Sequence, residues 1–255
     1  MKPWAQALLA VGAVSLVSLV GAFTLKLSPR VLRRLLLPLV ALAAGTMLGD
    51  AFLHLLPHAV EEAHGFTRAL SLGVLAGMLG FFLLEKVIHW RHEHDLCEED
   101  HIHPVARMNL IGDAIHNLLD GALIAGAFAS GGTELGLGVA IAVALHEIPQ
   151  EMGDFAVLVH GGYSPRRALF FNLLSALAAF LGAGLVFVLG GHSEAVRTFL
   201  VPFTAGAFIY IAASDLIPEI RREERPRAAA LLLCAFAAGL LLMLLMPEPG
   251  AGHAH

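Results

Sequence analysis

The sequence predicts an all-α polytopic membrane protein with eight transmembrane helices. Three observations carry that prediction. Of 255 residues, 57% are hydrophobic and only 15% are charged, where a soluble domain carries about a quarter charged residues. Mean hydropathy is +0.75. Apolar runs of about 20 residues, the length of a membrane span, recur along the chain between short polar links. Residues 1–255 therefore read as one transmembrane domain in contact with the lipid bilayer, with no room for a separate soluble domain and no nucleic acid expected as partner.

In chain order the spans are expected at roughly 4–25, 35–57, 68–90, 107–129, 135–159, 166–190, 196–218 and 228–246. The first has two readings. As a true span with the N-terminus outside, it places thirteen of the sixteen Lys and Arg residues in or beside cytoplasmic links, with only Lys2, Arg68 and Arg197 outside. That bias follows the positive-inside rule and puts both termini outside. As a cleaved signal peptide ending near Ala22 it reverses the bias, so the first reading is preferred. Cys97 lies in a polar link and Cys234 in the last span, which makes a disulfide framework unexpected.

The third and fourth spans are joined by the longest polar interruption, a cytoplasmic loop over 89–106 containing His89, His92, His94, His101 and His103. Such tracts bind borderline divalent cations without fixed geometry, or serve as solvated linkers. The terminal "GHAH" has the same two readings.

The fourth and fifth spans are linked by "SGGTE", Ser130 to Glu134, and are expected to form an antiparallel hairpin. His116 and His146 lie roughly 18–21 Å from that turn at 1.5 Å rise per residue, so they meet near mid-membrane. On the fourth span Asn109, Asp113, His116, Asn117 and Asp120 form one helical stripe; on the fifth, Glu147, Gln150, Glu151 and Asp154 form another, with His146 beside them. Pro149 frees the Leu145 carbonyl, a defect tolerated at membrane depth where backbone lines a cavity or binds a cation. Charged side chains in hydrocarbon cost about 2.5–3.5 kcal/mol each on insertion scales, so the two stripes need a purpose.

Imidazole and carboxylate at i, i+4 let one helix present two ligands to a divalent ion. His116 with Asp120 is one such pair; Glu147 with Glu151, flanked by His146, is a second set. This nitrogen and oxygen mixture suits Zn²⁺, with Fe²⁺ and Mn²⁺ also accommodated. Helix-to-helix hydrogen bonding is the bland alternative. "HEIPQ" also approaches the H-E-x-x-H zinc protease signature, but Gln150 stands at the second histidine. An intramembrane zinc metalloprotease is the alternative function, and a metal-sensing receptor a third class.

"HNLLDG" in the fourth span and "HEIPQEMGDF" in the fifth resemble the paired signatures of the ZIP family of divalent metal transporters, closest to the subgroup with H-E-x-P-H-E-x-G-D. "LGDAFLHLLPHA" and "AGAFIYIAASDLIPEI" resemble that family's second and seventh spans, so the likeness covers the full chain. It implies a cell (inner) membrane carrier, not an enzyme, that takes zinc, iron, manganese or cadmium into the cytoplasm. It also implies a homodimer, with the first, fourth, fifth and sixth spans moving against the rest. By motif position, His116, His146 and Gln150 would face one ion, and Asn117, Asp120, Glu147 and Gln150 a second. Gln150 departs from the pattern, since the bridging position carries His or Glu in the family. A neutral amide weakens a bridge between two dications. One dominant ion is therefore expected, held by His116, Asp120, His146 and Glu147, with Glu151 compensating from the next position.

"HLLPH" and "DLIPE" share a pattern on spans second and second-to-last, the trace an inverted repeat around the fourth and fifth helices would leave. Asp50, His54 and His58 are candidate access-path groups, and Asp215 and Glu219 candidate exit groups; Asp113 and Asp154 join the path from the polar stripes. The resemblance brings Asn172 of the sixth span toward the metal region, though helix packing explains it equally. Gly121, Gly126, Gly182 and Gly184 are expected to let helices approach closely. "RREERPR" reads as a cytoplasmic charge anchor.

Overall fold

The computed structural model describes residues 2–26, 28–94, 102–189 and 193–246, which are helical with no strand among them. Helix α1 (Pro3–Ser15) tightens into a 3₁₀ stretch, Leu16–Lys26. Helix α2 (Pro29–Asp50) passes through a π-turn (Ala51–Leu55) into α3 (Leu56–Glu62), and α4 (Arg68–His94) returns. The long α5 (Pro104–His160) is followed by α6 (Pro165–Ala176) and α7 (Ala178–Leu189). Helix α8 (Ser193–Ile211) passes through a second π-turn (Ala212–Leu216) into α9 (Ile217–Arg221), and α10 (Pro226–Leu245) completes the bundle.

Local chemistry accounts for many of these boundaries. Proline stands at or next to the first helical position of α1, α2, α5, α6 and α10, where its missing N–H costs nothing. The Ser28 and Ser164 hydroxyls accept from the N–H groups of Val31 and Arg167, capping α2 and α6. Pro57 and Pro218 each stand two residues beyond the end of a π-turn, and the widened turn relieves the crowding a proline imposes on the turn before it. The two π-turns run into the two proline motifs, His54 to His58 and Asp215 to Glu219, whose likeness the sequence displays.

Among the described residues six segments are long and apolar enough to cross a membrane: Pro3–Phe23, Arg30–Glu62, Arg68–Val87, Pro165–Val188, Phe199–Arg221 and Pro226–Leu245. The two arms of α5 each exceed the roughly 20 residues of a span, but their polar stripes lower their hydropathy. The arms part at Gly132, whose φ of 69° and ψ of −156° are open to glycine and strained for other residues. There the chain folds back on itself. A Cβ on Gly136 would fall 2.3 Å from the Phe128 ring, and the His103 N–H donates to the Gly161 carbonyl at 2.8 Å, tying the far ends of both arms together. The expected antiparallel hairpin is present.

Two groups of helices surround this hairpin. Helices α1, α6 and α7 pack on α5 around cores containing Val11, Ile124, Phe128, Phe155 and Leu158. Helix α2 pairs with α10, and α4 with α8, around a core containing Met47, Phe81, Phe208 and Ile211. Helix α2 is the principal contact between that second group and α5. Reciprocal glycine contacts set the closest approaches. A Cβ on Gly121 would lie 1.9 Å from the Ala179 carbonyl, and one on Gly182 1.8 Å from the Leu118 carbonyl. Gly77 and Gly206 bear the same relation across α4 and α8. Gly126 and Gly184 do not act as expected, since a Cβ on either would meet nothing within 4 Å.

Where α6 breaks into α7, the Ser15 hydroxyl of α1 donates to the Ala176 carbonyl at 3.1 Å, satisfying a group the break would strand in an apolar interior. Leu9, Phe23, Leu79, Phe170, Leu181, Leu233 and Leu244 point outward and exposed. Large apolar side chains outside and acids inside are the pattern that lipid as solvent selects.

Candidate metal centre

The polar stripes of the two α5 arms face each other in the interior. His116, Asp120, His146 and Glu147 are each at most 3% exposed, and one donor atom from each lies within 4.8 Å of the others. His116 Nε2 stands 3.6 Å from both Asp120 Oδ2 and Glu147 Oε1; His146 Nε2 stands 3.2 Å from Asp120 Oδ2 and 4.0 Å from Glu147 Oε1. Four ligands held about 2.1 Å from a tetrahedral zinc are about 3.4 Å apart. The spacing fits one dication. Neither ring nitrogen of His116 has a hydrogen-bond partner, although the residue is buried. A buried unsatisfied polar group costs about 1–3 kcal/mol, which a ligand would offset.

Asp50 of α2 completes this centre from the other helix group. Its Oδ2 faces His116 Nδ1 at 3.7 Å, and its Oδ1 lies 3.2 Å from His54 Nδ1. The sequence placed Asp50 and His54 on the access path; the structure sets Asp50 against the far nitrogen of His116 and the His54 ring 6.3 Å from that of His146. At that distance the two are an electrostatic pair rather than a hydrogen bond, on the side of the imidazole where a ligating histidine usually has its carboxylate partner. Phe208 closes the other side, its ring 5.1 Å from His116. An apolar span pattern gave no signal for that contact.

The remaining expected residues fall into three places. Gln150, one helical turn along from His146, is buried with neither amide atom hydrogen-bonded. Asn117 donates from Nδ2 to the Asp113 carbonyl at 3.2 Å and carboxylate at 2.8 Å. Glu151 does not join the histidines. It gathers with Asp113 and Asp154 in a second buried group, whose ligand atoms also lie within 4.8 Å of one another. The i+4 step from Glu147 carries Glu151 one turn along the stripe, away from the imidazoles.

At the end of the bundle where the α5 arms are tied, His103, His160, Asp215, Glu219 and Arg222 line a cavity of about 110 Å³. His160 Nε2 lies 3.2 Å from Glu219 Oε1, and Arg222 donates to Glu219 Oε2 at 2.5 Å. Arg222 is thus more than an anchor, and His160 went unnoticed in the sequence because it ends an apolar helix with no polar neighbour in register. In the adjoining link, hydrogen bonds from Arg225 hold the Glu223 carboxyl down at about 2. His58 lies elsewhere, 3.6 Å from Glu62 on α3. The loop 95–101 and the tail lie outside the described residues, as do the side chains of His89, His92 and His94.

A bundle of membrane helices that buries two imidazoles and two carboxylates at ligand spacing defines a metal-handling integral membrane protein. The sequence profile of the family described as ZIP Zinc transporter matches residues 1–105 and 91–247. The chain belongs to that family. It is 30% identical over 270 residues to zinc transporter zipt-7.2 of Caenorhabditis elegans, covering 83% of this chain and 58% of the relative. It is 34% identical over 224 residues to zinc transporter ZIP13 of Pongo abelii, covering 81% and 65%. With zinc transporter SLC39A7 of Homo sapiens it shares 30% over 336 residues, covering 95% and 71%. The chain thus spans less than two thirds of the length of the first two relatives.

Proposed function

We propose that the protein carries divalent metal cations, zinc foremost, across the membrane toward the cytoplasm, with His116, Asp120, His146 and Glu147 holding the ion in transit. The observation that carries this reading is the donor spacing of 3.2–4.0 Å among those four buried side chains. Membership of a family of zinc transporters, and relatives named as such, support it. Nitrogen and oxygen donors together suit zinc, and accept Fe²⁺, Mn²⁺ and Cd²⁺ as competitors. Asn117 and Gln150 stand beside the ion as neutral partners. Gln150 offers one carbonyl oxygen, so a single ion dominates here.

The path runs in from His58 through His54 and Asp50 to the centre, and out past Asp113 and Asp154 to the cavity of His160, Asp215 and Glu219. The excess of basic residues in the links supports a cytoplasmic position for that cavity, with both termini outside. The α5 arms complete eight spans. The division of the bundle into α1, α5, α6 and α7 against α2, α4, α8 and α10 supports a carrier in which the first group moves, in a homodimer, within a cell membrane. Asp50 reaching His116 across that division would couple ion binding to the movement.

Uptake into proteoliposomes tests the reading. The wild type accumulates zinc, and His116→Ala and Glu147→Gln lower the rate by more than about tenfold, the loss of at least 1.4 kcal/mol of binding. Peptide cleavage dependent on Glu147 without zinc uptake would replace the carrier with the metalloprotease, and metal binding with neither activity would leave a sensor.

A further inference from the structure

The second carboxylate group has a composition of its own. Asp113, Glu151 and Asp154 are each at most 1% exposed, and all three come from the α5 hairpin on the His160 side of the histidines. The hydrogen bonds that reach them come from neutral groups. Asn117 and Ser175 donate to Asp113, Asn172 donates to Glu151, and Asn109 donates to Asp154 at 3.0 Å. Neutral donors orient carboxylates without cancelling their charge, and three such charges together in a membrane interior are costly.

Unused oxygens point to what is missing. Asp154 Oδ2 has no hydrogen-bond partner. Asn109 and Asn172 are wholly buried, and the side-chain oxygen of each is also without a partner. Each amide is pinned by its nitrogen to a carboxylate of the group, which keeps its oxygen within about 5 Å of that carboxylate. Three carboxylates therefore converge, with two unpartnered amide oxygens close by and no imidazole or thiolate in the group. Oxygen-only sets of five or six donors suit hard divalent cations, whereas the histidine centre suits zinc.

We propose that Asp113, Glu151 and Asp154, with the side-chain oxygens of Asn109 and Asn172, form a second divalent-cation site, selective for harder ions such as Mn²⁺ and separate from the histidine centre. Asn117 links the two, being a neighbour of His116 whose amide donates to Asp113. The site rests on the proposed transport function only in that an ion must reach the membrane interior.

The test uses the full chain, purified in nanodiscs, with Mn²⁺ as probe followed by equilibrium dialysis and its paramagnetic resonance spectrum. The His116→Ala/His146→Ala variant keeps one bound Mn²⁺ in an oxygen-ligand environment. Glu151→Gln/Asp154→Asn loses that ion, its affinity falling about tenfold to a hundredfold or more, while zinc still binds at the histidines. Wild-type crystals soaked in Mn²⁺ settle the matter without any variant: an anomalous peak among the three carboxylates supports the site. Peaks confined to the histidines, or a Glu151→Gln/Asp154→Asn variant with unchanged Mn²⁺ binding, overturn it and leave a hydrogen-bonded helix contact. Absence of Mn²⁺ from the carboxylates of the wild type, with zinc uptake intact, overturns this site alone, whereas absence of zinc from the histidines removes the transport function.

Discussion

Gln150 and Asp50 show how much a single side chain can decide. A neutral amide bridges dications poorly, so Gln150→His should let the centre hold a second zinc, read as a rise in bound metal per chain by dialysis and elemental analysis. An unchanged stoichiometry would show that the bridge is not the limiting element. Asp50 faces His116 at 3.7 Å without being one of the four clustered donors. Asp50→Asn should weaken zinc binding by about tenfold to a hundredfold, as loss of a partner behind a ligating imidazole does, with no change in the number of ions bound. Zinc at about a hundredfold excess over its dissociation constant should also stabilise the wild-type fold by about 2.7 kcal/mol. That gain, read as a rise in thermal midpoint, should vanish in His116→Ala.

Helix pairing depends on where glycines fall. Gly182 lets α7 lie against the Leu118 carbonyl, and a Cβ there would fall 1.8 Å from that oxygen. Gly182→Val should therefore cost about 1–3 kcal/mol through overpacking, whereas Gly184→Ala, with open space around it, should leave the thermal midpoint unmoved. Both glycines lie in one short apolar run of α7, and only the neighbour's backbone distinguishes them. The π-turns at Ala51–Leu55 and Ala212–Leu216 are a second case. The proline motifs announced an irregularity at those places, but its form depends on how each helix packs.

On the scale of the whole molecule, the hairpin of α5 is the element around which both helix groups assemble. It brings His116 and His146 to a ring separation of 5.6 Å from positions thirty residues apart in sequence. The proposed orientation in the membrane rests on charge. In a chain with Cys97 and Cys234 replaced by serine, Phe66→Cys should react with a membrane-impermeant thiol reagent applied from outside. Glu224→Cys should react only once the membrane is opened. The reverse pattern would invert the bundle and with it the proposed direction of transport.

Hydropathy, proline and serine at helix starts, and the spacing of polar residues along two spans were enough to establish an all-helical membrane protein with a mid-membrane polar pair, because each is a local property of the chain. The i, i+4 spacing also singled out His116 with Asp120, and Glu147 with Glu151 beside His146, and the family resemblance then pointed to His116, Asp120, His146 and Glu147 as one set. The sequence could not place Glu151 with Asp113 and Asp154, bring Asp50 to His116, or reveal Asn109, Ser175 and His160 as partners. Those depend on rotation and depth of helices relative to one another, which are set by close backbone contacts at glycines and by packing across the bundle. Neither leaves a periodic trace in the sequence of any one helix.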